Sequence, residues 1–348
     1  MASPFALDPA HAYVSPTSPS GVQTVDLVLM DSGRGKQLEL RIRVPKVSAD
    51  AVRPLEGQDA RAADPVGSGR LPLVIFSHGA GGSLDAFPEL STHLASLGYV
   101  VVHPTHSDSI ELRVRRGEDL SRLRENPTRL VADVDAPDRL ADVSFIIDSI
   151  PALQDAINEG RDPSARITID PERIGMAGHS AGAYTTQVAI GAKVRGLRWG
   201  GGFRARTEPR IKAGVLISGQ GTTNRSLRED SWSEITTPML VIVGSLDVSR
   251  ISNETPQSRR EPFEKARAGD KYLISIEGAT HGSYQGRTLA TMLREEPTTD
   301  VEVITAAVSS GTTAFFDRYL RGSDKARSYL ESDAIVKLTS GAAEYQRK

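Results

Sequence analysis

One serine in this chain stands where a hydroxyl can be made to attack. Ser180 sits in Gly178-His179-Ser180-Ala181-Gly182, behind the apolar run Arg173 to Ala177 and ahead of a small-residue helical stretch, Ala183 to Ala192. Strand, Gly-x-Ser-x-Gly, helix is the nucleophile-elbow pattern. The sharp turn holds the serine in strained backbone geometry, and the flanking glycines let strand and helix pass closely. The helix N-terminus places unpaired N–H groups beside the reacting atom. The blander alternative is a glycine-rich turn carrying an ordinary serine.

A serine hydroxyl needs a general base within hydrogen-bond reach. In folds built on such an elbow the chain order is nucleophile, acid, histidine. Of the seven histidines, only His281 follows Ser180, in the small-residue loop Gly278 to Ser283. The acid must lie between them, to orient the imidazole and stabilise its cation. Asp247 follows a strand ending at Gly244 and is the first choice, with Glu254 the main rival. Glu234 precedes its strand and Asp270 precedes the last one, so both fall at the wrong end. Two backbone amides should receive the oxyanion: Ala181, next to the nucleophile, and Ala80 within His78-Gly79-Ala80-Gly81-Gly82, with Gly79 or Gly81 as fallback. His78 is read as a brace for that loop and His179 as packing. His106, Trp199 and Phe203 are candidate pocket residues.

These side chains need a scaffold that delivers them to one rim. Leu71 to Ser77, Tyr99 to His103, the elbow strand, Ile211 to Ser218, Pro238 to Gly244 and Lys271 to Gly278 read as strands. Their continuous apolar runs suit strands buried on both faces. Helices are expected over 84–97, 138–150 (continuing with a kink to 158) and 300–321. Alternation of this kind predicts an α/β fold with a doubly wound, mostly parallel sheet, whose ligand site lies at the strand C-termini. Val22 to Met30 and Leu38 to Val44 alternate apolar and polar residues, so they add an antiparallel edge hairpin. The organisation read from this is an extended arm (1–21), one catalytic domain (22–330) and a C-terminal tail (331–348). Insertions fall at about 46–70, 105–136 and 193–210; the last two are expected to shape the pocket.

The 348 residues carry a net charge of −2, so no global field attracts nucleic acid. The absence of cysteine excludes disulfides, thiolate metal sites and a cysteine nucleophile. His103-Pro104-Thr105-His106 is a poor metal pair, since proline prevents helical presentation, and neither metal nor cofactor is expected. No stretch approaches a membrane span, and residues 1–20 lack the basic and apolar regions of an export signal. As written the chain reads as cytoplasmic, or as a mature secreted form with its signal replaced.

Longer blocks add a resemblance. FSHGAGGS at 76–83, GYVVVHPTHSDS at 98–109, RLADVSFIIDSI at 139–150, GHSAGAYT at 178–185, the acid at 247, GDKYLISIEGATHGSY at 269–284 and AFFDRYLRG at 314–322 carry it. Together they resemble the predicted dienelactone-hydrolase-like branch of the α/β-hydrolase superfamily, close to platelet-activating-factor-acetylhydrolase-type esterases. The similarity spans roughly residues 22–330. It implies the α/β-hydrolase fold, a Ser-Asp-His triad and an ester substrate, small or polymeric. Dienelactone hydrolases proper use a cysteine nucleophile; Ser180 at that position favours general carboxylic-ester hydrolysis over lactone cleavage. An acyltransferase using the same triad and a non-catalytic binding protein are the alternatives.

Overall fold

A computed structural model describes residues 3–46, 70–196, 202–249 and 251–348. Most of the 46–70 insertion therefore lies outside the described residues, as does Trp199.

The chain enters through an extended arm pinned to the surface. Tyr13 and Ser15 both donate to Asp317 Oδ2, at 3.0 and 2.6 Å. β1 (Val22–Asp31) and β2 (Lys36–Pro45) then form the antiparallel hairpin. β3 (Leu71–Ser77), α1 (Pro88–Ser96) and β4 (Val100–Thr105) make the first strand–helix–strand unit, β3 and β4 being parallel. Helix α1 begins four residues later than periodicity suggests. Phe87 turns the chain in a left-handed conformation and Pro88, preset for a first helical position, follows it.

The long segment after β4 folds into three short helices, α2 (Ile110–Arg115), α3 (Ser121–Glu125) and α4 (Arg129–Ala132). α5 (Ala136–Asp148) and α6 (Ile150–Asn158) replace the single kinked helix of the sequence reading, with Pro151 in the first turn of α6. β5 (Ile169–His179) carries the elbow into α7 (Ala181–Ala189). A small ribbon of β6 (Lys193–Arg195) and β7 (Phe203–Ala205) precedes β8 (Ile211–Ile217) and β9 (Met239–Leu246). α8 (Pro256–Glu264), β10 (Lys271–Thr280), α9 (Arg287–Met292) and α10 (Val301–Arg321) follow.

The segment read as a tail belongs to the fold. After α11 (Asp324–Leu330) and α12 (Ala334–Leu338), β11 (Ala343–Arg347) pairs antiparallel with β10. Among the described residues the main sheet thus has nine strands in the order β1-β2-β4-β3-β5-β8-β9-β10-β11. The six from β4 to β10 run parallel, with an antiparallel strand or hairpin at each flank.

Burial explains the two helical layers. On β3, Leu73 and Ile75 join a core with Val143, Ile146 and Val188 of α5 and α7. Val74 and Phe76 face a second core with Leu90 and Leu94 of α1 and Phe315 and Phe316 of α10. A strand covered on both faces must be apolar at every position, and β3 is buried throughout. Among the described residues no helix is long and apolar enough to cross a membrane.

Candidate active site

The elbow places Ser180 between β5 and α7 with φ 54° and ψ −118°, a conformation that L-residues adopt only when their surroundings force it. Those surroundings are tight. A Cβ on Gly182 would lie 1.8 Å from the Ser77 carbonyl oxygen, and one on Gly178 would lie 2.3 Å from the Gly182 backbone. The Ser180 N–H donates to Ile217 O of the neighbouring strand at 3.0 Å, which locks the turn to the sheet.

The loop after β3 is held from below. Arg139, fully buried on α5, donates to His78 O at 2.6 Å and to Gly79 O at 3.2 Å, and pairs with Asp108 at 2.8 and 2.9 Å. Asp108 also takes the Gly81 N–H at 3.0 Å. With those carbonyls committed to Arg139, the Ala80 amide is left without an acceptor among the described residues. The Ala181 amide, at the start of α7, is likewise free, and both residues line one cleft with Ser180. His78 does brace the loop: its Nδ1 bonds Gly79 O at 2.6 Å and its Nε2 accepts the His106 N–H at 3.0 Å.

On the other side of the elbow, β9 delivers Asp247 and β10 delivers His281. His281 Nδ1 lies 2.9 Å from Asp247 Oδ1 and 2.8 Å from Ser218 Oγ. A carboxylate at that distance takes the Nδ1 proton, so Nε2 keeps its lone pair. Asp247 is completely buried and held by more than the histidine. Arg259 Nε lies 3.0 Å from Oδ1, and the Tyr284 hydroxyl donates to Oδ2 at 2.6 Å. Burial alone would raise the carboxyl's pKa, but the Arg259 guanidinium, His281 and Tyr284 hold it well below the usual range. His179 donates through Nε2 to His281 O at 2.8 Å; burial first, then the neighbouring His281, pushes it down to about 3. It therefore stays neutral and braces the histidine loop. The Ser180 hydroxyl makes no hydrogen bond to His281 among the described residues.

The cleft has a volume of about 360 Å³. Val131, Ala132 and Val134 of the 105–136 insertion form one wall. Tyr184, residues within 220–226, Ser249 and 252–254 also line the cleft, none of which the sequence reading assigns to the pocket, and the described part of 193–210 does not. Phe203 is corrected accordingly: it lies on β7 under the Arg228 guanidinium, 4.7 Å away, and not on the cleft. His106 is also displaced from the pocket. It is fully buried between Ser77 Oγ at 2.9 Å and Asp142 Oδ2 at 2.8 Å, supporting the loop that carries Ala80. Glu254 does not reach His281; it lines the cleft and accepts from Gly221 N–H and Ser258 Oγ.

Arg259, Tyr284 and Arg139 are residues of the site that the sequence reading does not single out. Tyr284 lies three positions after His281, inside a block quoted for the resemblance, so its proximity was available. Arg259 sits in a polar stretch where nothing distinguishes it from Arg260. Among the described residues no three His, Asp or Glu side chains are grouped to hold a metal ion, and His103 and His106 serve different networks.

Two family models match the chain. Platelet-activating factor acetylhydrolase, isoform II, matches residues 56–119, and Serine hydrolase (FSH1) matches residues 141–257. Among solved structures, a ferulic acid esterase from Streptomyces cinnamoneus is similar with a TM-score of 0.56 and 20% sequence identity. The alignment covers 90% of this chain and 93% of that one. A search of curated proteins finds no match. The similar structure shares the α/β-hydrolase fold, and both family matches, each to part of the chain, are to hydrolases.

Proposed function

We propose that this protein hydrolyses small carboxylic esters through an acyl-enzyme formed on Ser180. One observation carries the reading: the elbow serine and two unpaired amides share a cleft beside a buried Asp247–His281 pair. His281 Nε2 removes the Ser180 proton as Oγ attacks the ester carbonyl. The tetrahedral oxygen takes the Ala80 and Ala181 N–H groups, which are preorganised and cost no rearrangement. Asp247 stabilises the imidazolium, and His281 returns the proton to the departing alcohol. Water then releases the acid by the same steps. Catalytic hydrogen bonds that are open without substrate commonly tighten when it arrives. The esterase in the similar structure and the acetylhydrolase family match support an ester over other acyl substrates.

A fluorophosphonate should label Ser180 stoichiometrically. A series of p-nitrophenyl esters graded by acyl length should give turnover that Ser180→Ala lowers by about 10⁴-fold or more. Undiminished turnover in that variant would refute the assignment.

A further inference from the structure

The cleft is chemically two-sided. Val131, Ala132 and Val134 make an apolar part of the lining, whereas Gln220, Asn224 and Glu254 make a polar part. Buried polar atoms almost always have partners, and those that do not call for a cause. Gln220 is only 9% exposed, yet its Oε1 has no hydrogen-bond partner. Among the buried orphan atoms of the described residues, it alone belongs to a residue lining the cleft.

The Gln220 backbone is fixed, so the orphan is not a sign of slack. Its carbonyl accepts from Gln187 Nε2 at 3.2 Å, and Gln187 Oε1 accepts from the buried Trp232 indole at 2.7 Å. Its neighbours are similarly half-used. Glu254 Oε2 takes the Gly221 N–H and the Ser258 hydroxyl, while its Oε1 takes none among the described residues. Asn224 Oδ1 accepts the Ser226 N–H and hydroxyl at 3.0 and 2.8 Å, which fixes the amide orientation and leaves Nδ2 without a partner among the described residues. Among the described residues the wall thus offers two unpartnered acceptors, Gln220 Oε1 and Glu254 Oε1, and two unpartnered donors, Gln220 Nε2 and Asn224 Nδ2. Alcohol hydroxyls, which both donate and accept, match that set.

Strand order decides which half of the ester meets this wall. Gln220 follows β8 and Glu254 follows β9, on the same side of the elbow as Asp247 and His281. Ser218, two residues before Gln220, touches His281 itself. The leaving oxygen must lie against His281 to be protonated, so the group attached to it lies along the β8–β9 side. The apolar wall, after β4 on the far side, faces the acyl chain.

We infer that Gln220, Glu254 and Asn224 form a subsite for the alcohol part of the substrate, and that this alcohol is polyhydroxylated, joined to an apolar acyl group. The inference rests on the ester-hydrolase reading above. No bond forms or breaks at this wall; it positions the leaving group.

Initial rates with 1-monobutyrylglycerol and propyl butyrate test it, because the pair differs only in two hydroxyls on the alcohol. The wild-type protein should prefer the glycerol ester in kcat/KM by about tenfold or more, since unpaired buried acceptors penalise the analogue lacking its donors. Gln220→Met, close in shape and without polar hydrogen-bonding groups, should collapse that ratio toward one, and Glu254→Gln should reduce it. The ratio is internal to each variant, so loss of folded protein does not imitate the result. Cleavage of both esters without preference, or a ratio unchanged in both variants, overturns the subsite while leaving ester hydrolysis standing. A stronger preference for butyrylcholine than for the glycerol ester overturns the hydroxyl class in favour of a cation. Cleavage of none of them, with no fluorophosphonate adduct at Ser180, removes the hydrolase reading and the subsite with it.

Discussion

Asp247 carries a charge that the interior tolerates only because Arg259, Tyr284 and His281 surround it. A carboxyl held low in the folded state contributes stability above the ordinary aspartate range, near 3.9, and loses it as pH falls through the depressed folded value. Replacing Arg259 by Met removes the main cation, so the folded value rises toward the unfolded one and the stabilisation shrinks and is gone at a higher pH. Arg259→Met should cost about 3 kcal/mol in urea unfolding at pH 7. It should also move the acid limb of the kcat/KM profile upward. Tyr284→Phe, which removes one neutral donor, should move that limb in the same direction by less. A limb unmoved in both variants would place the Arg259–Asp247 pair outside the chemistry. Reading single residues from sequence leaned on backbone context, which left one histidine after the elbow and one acid just past a strand end, and the structure brings that pair to 2.9 Å. It failed where only side-chain reach mattered. Nothing in the order of residues says that Arg259 crosses to Asp247 while Arg260 turns to Glu264 and Glu344.

The elbow couples β3, β5 and α7 through glycines that admit no substituent. Gly182→Ala would press a methyl against the Ser77 carbonyl, pushing α7 off β3. The expected outcome is a loss of about 3 kcal/mol and of activity together, read by urea titration and ester turnover. Stability within experimental error of the unsubstituted protein would show that the helix can slide. The parallel strands were readable because burial on both faces forces unbroken apolar runs, as in Leu71 to Ser77. The short helices α2 to α4 were not, since four to six residues are too few to show a period. α1 was overextended because Leu84 and Ala86 continue the apolar spacing, although Phe87 bends the chain there before Pro88.

Both chain ends are worked into the molecule. The arm meets α10 through Asp317, and β11 covers the edge of β10, with Tyr345 stacked on Tyr272. Five residues with one hydrophobic alternation are too faint a pattern to mark a strand, which is why 331–348 read as a tail. Removing residues 343–348 uncovers a long strand edge. Tm should fall by at least about 2–4 °C, and light scattering should report association through the bared edge. An unchanged Tm would make β11 ornamental. The molecule also carries tension at the elbow, where Ser180 combines φ 54° with ψ −118°. Glycine relaxes there without cost to its neighbours, so Ser180→Gly should melt later than the parent by about 1 kcal/mol of added stability while turning over nothing. In this protein, giving up the reaction is a route to heat resistance.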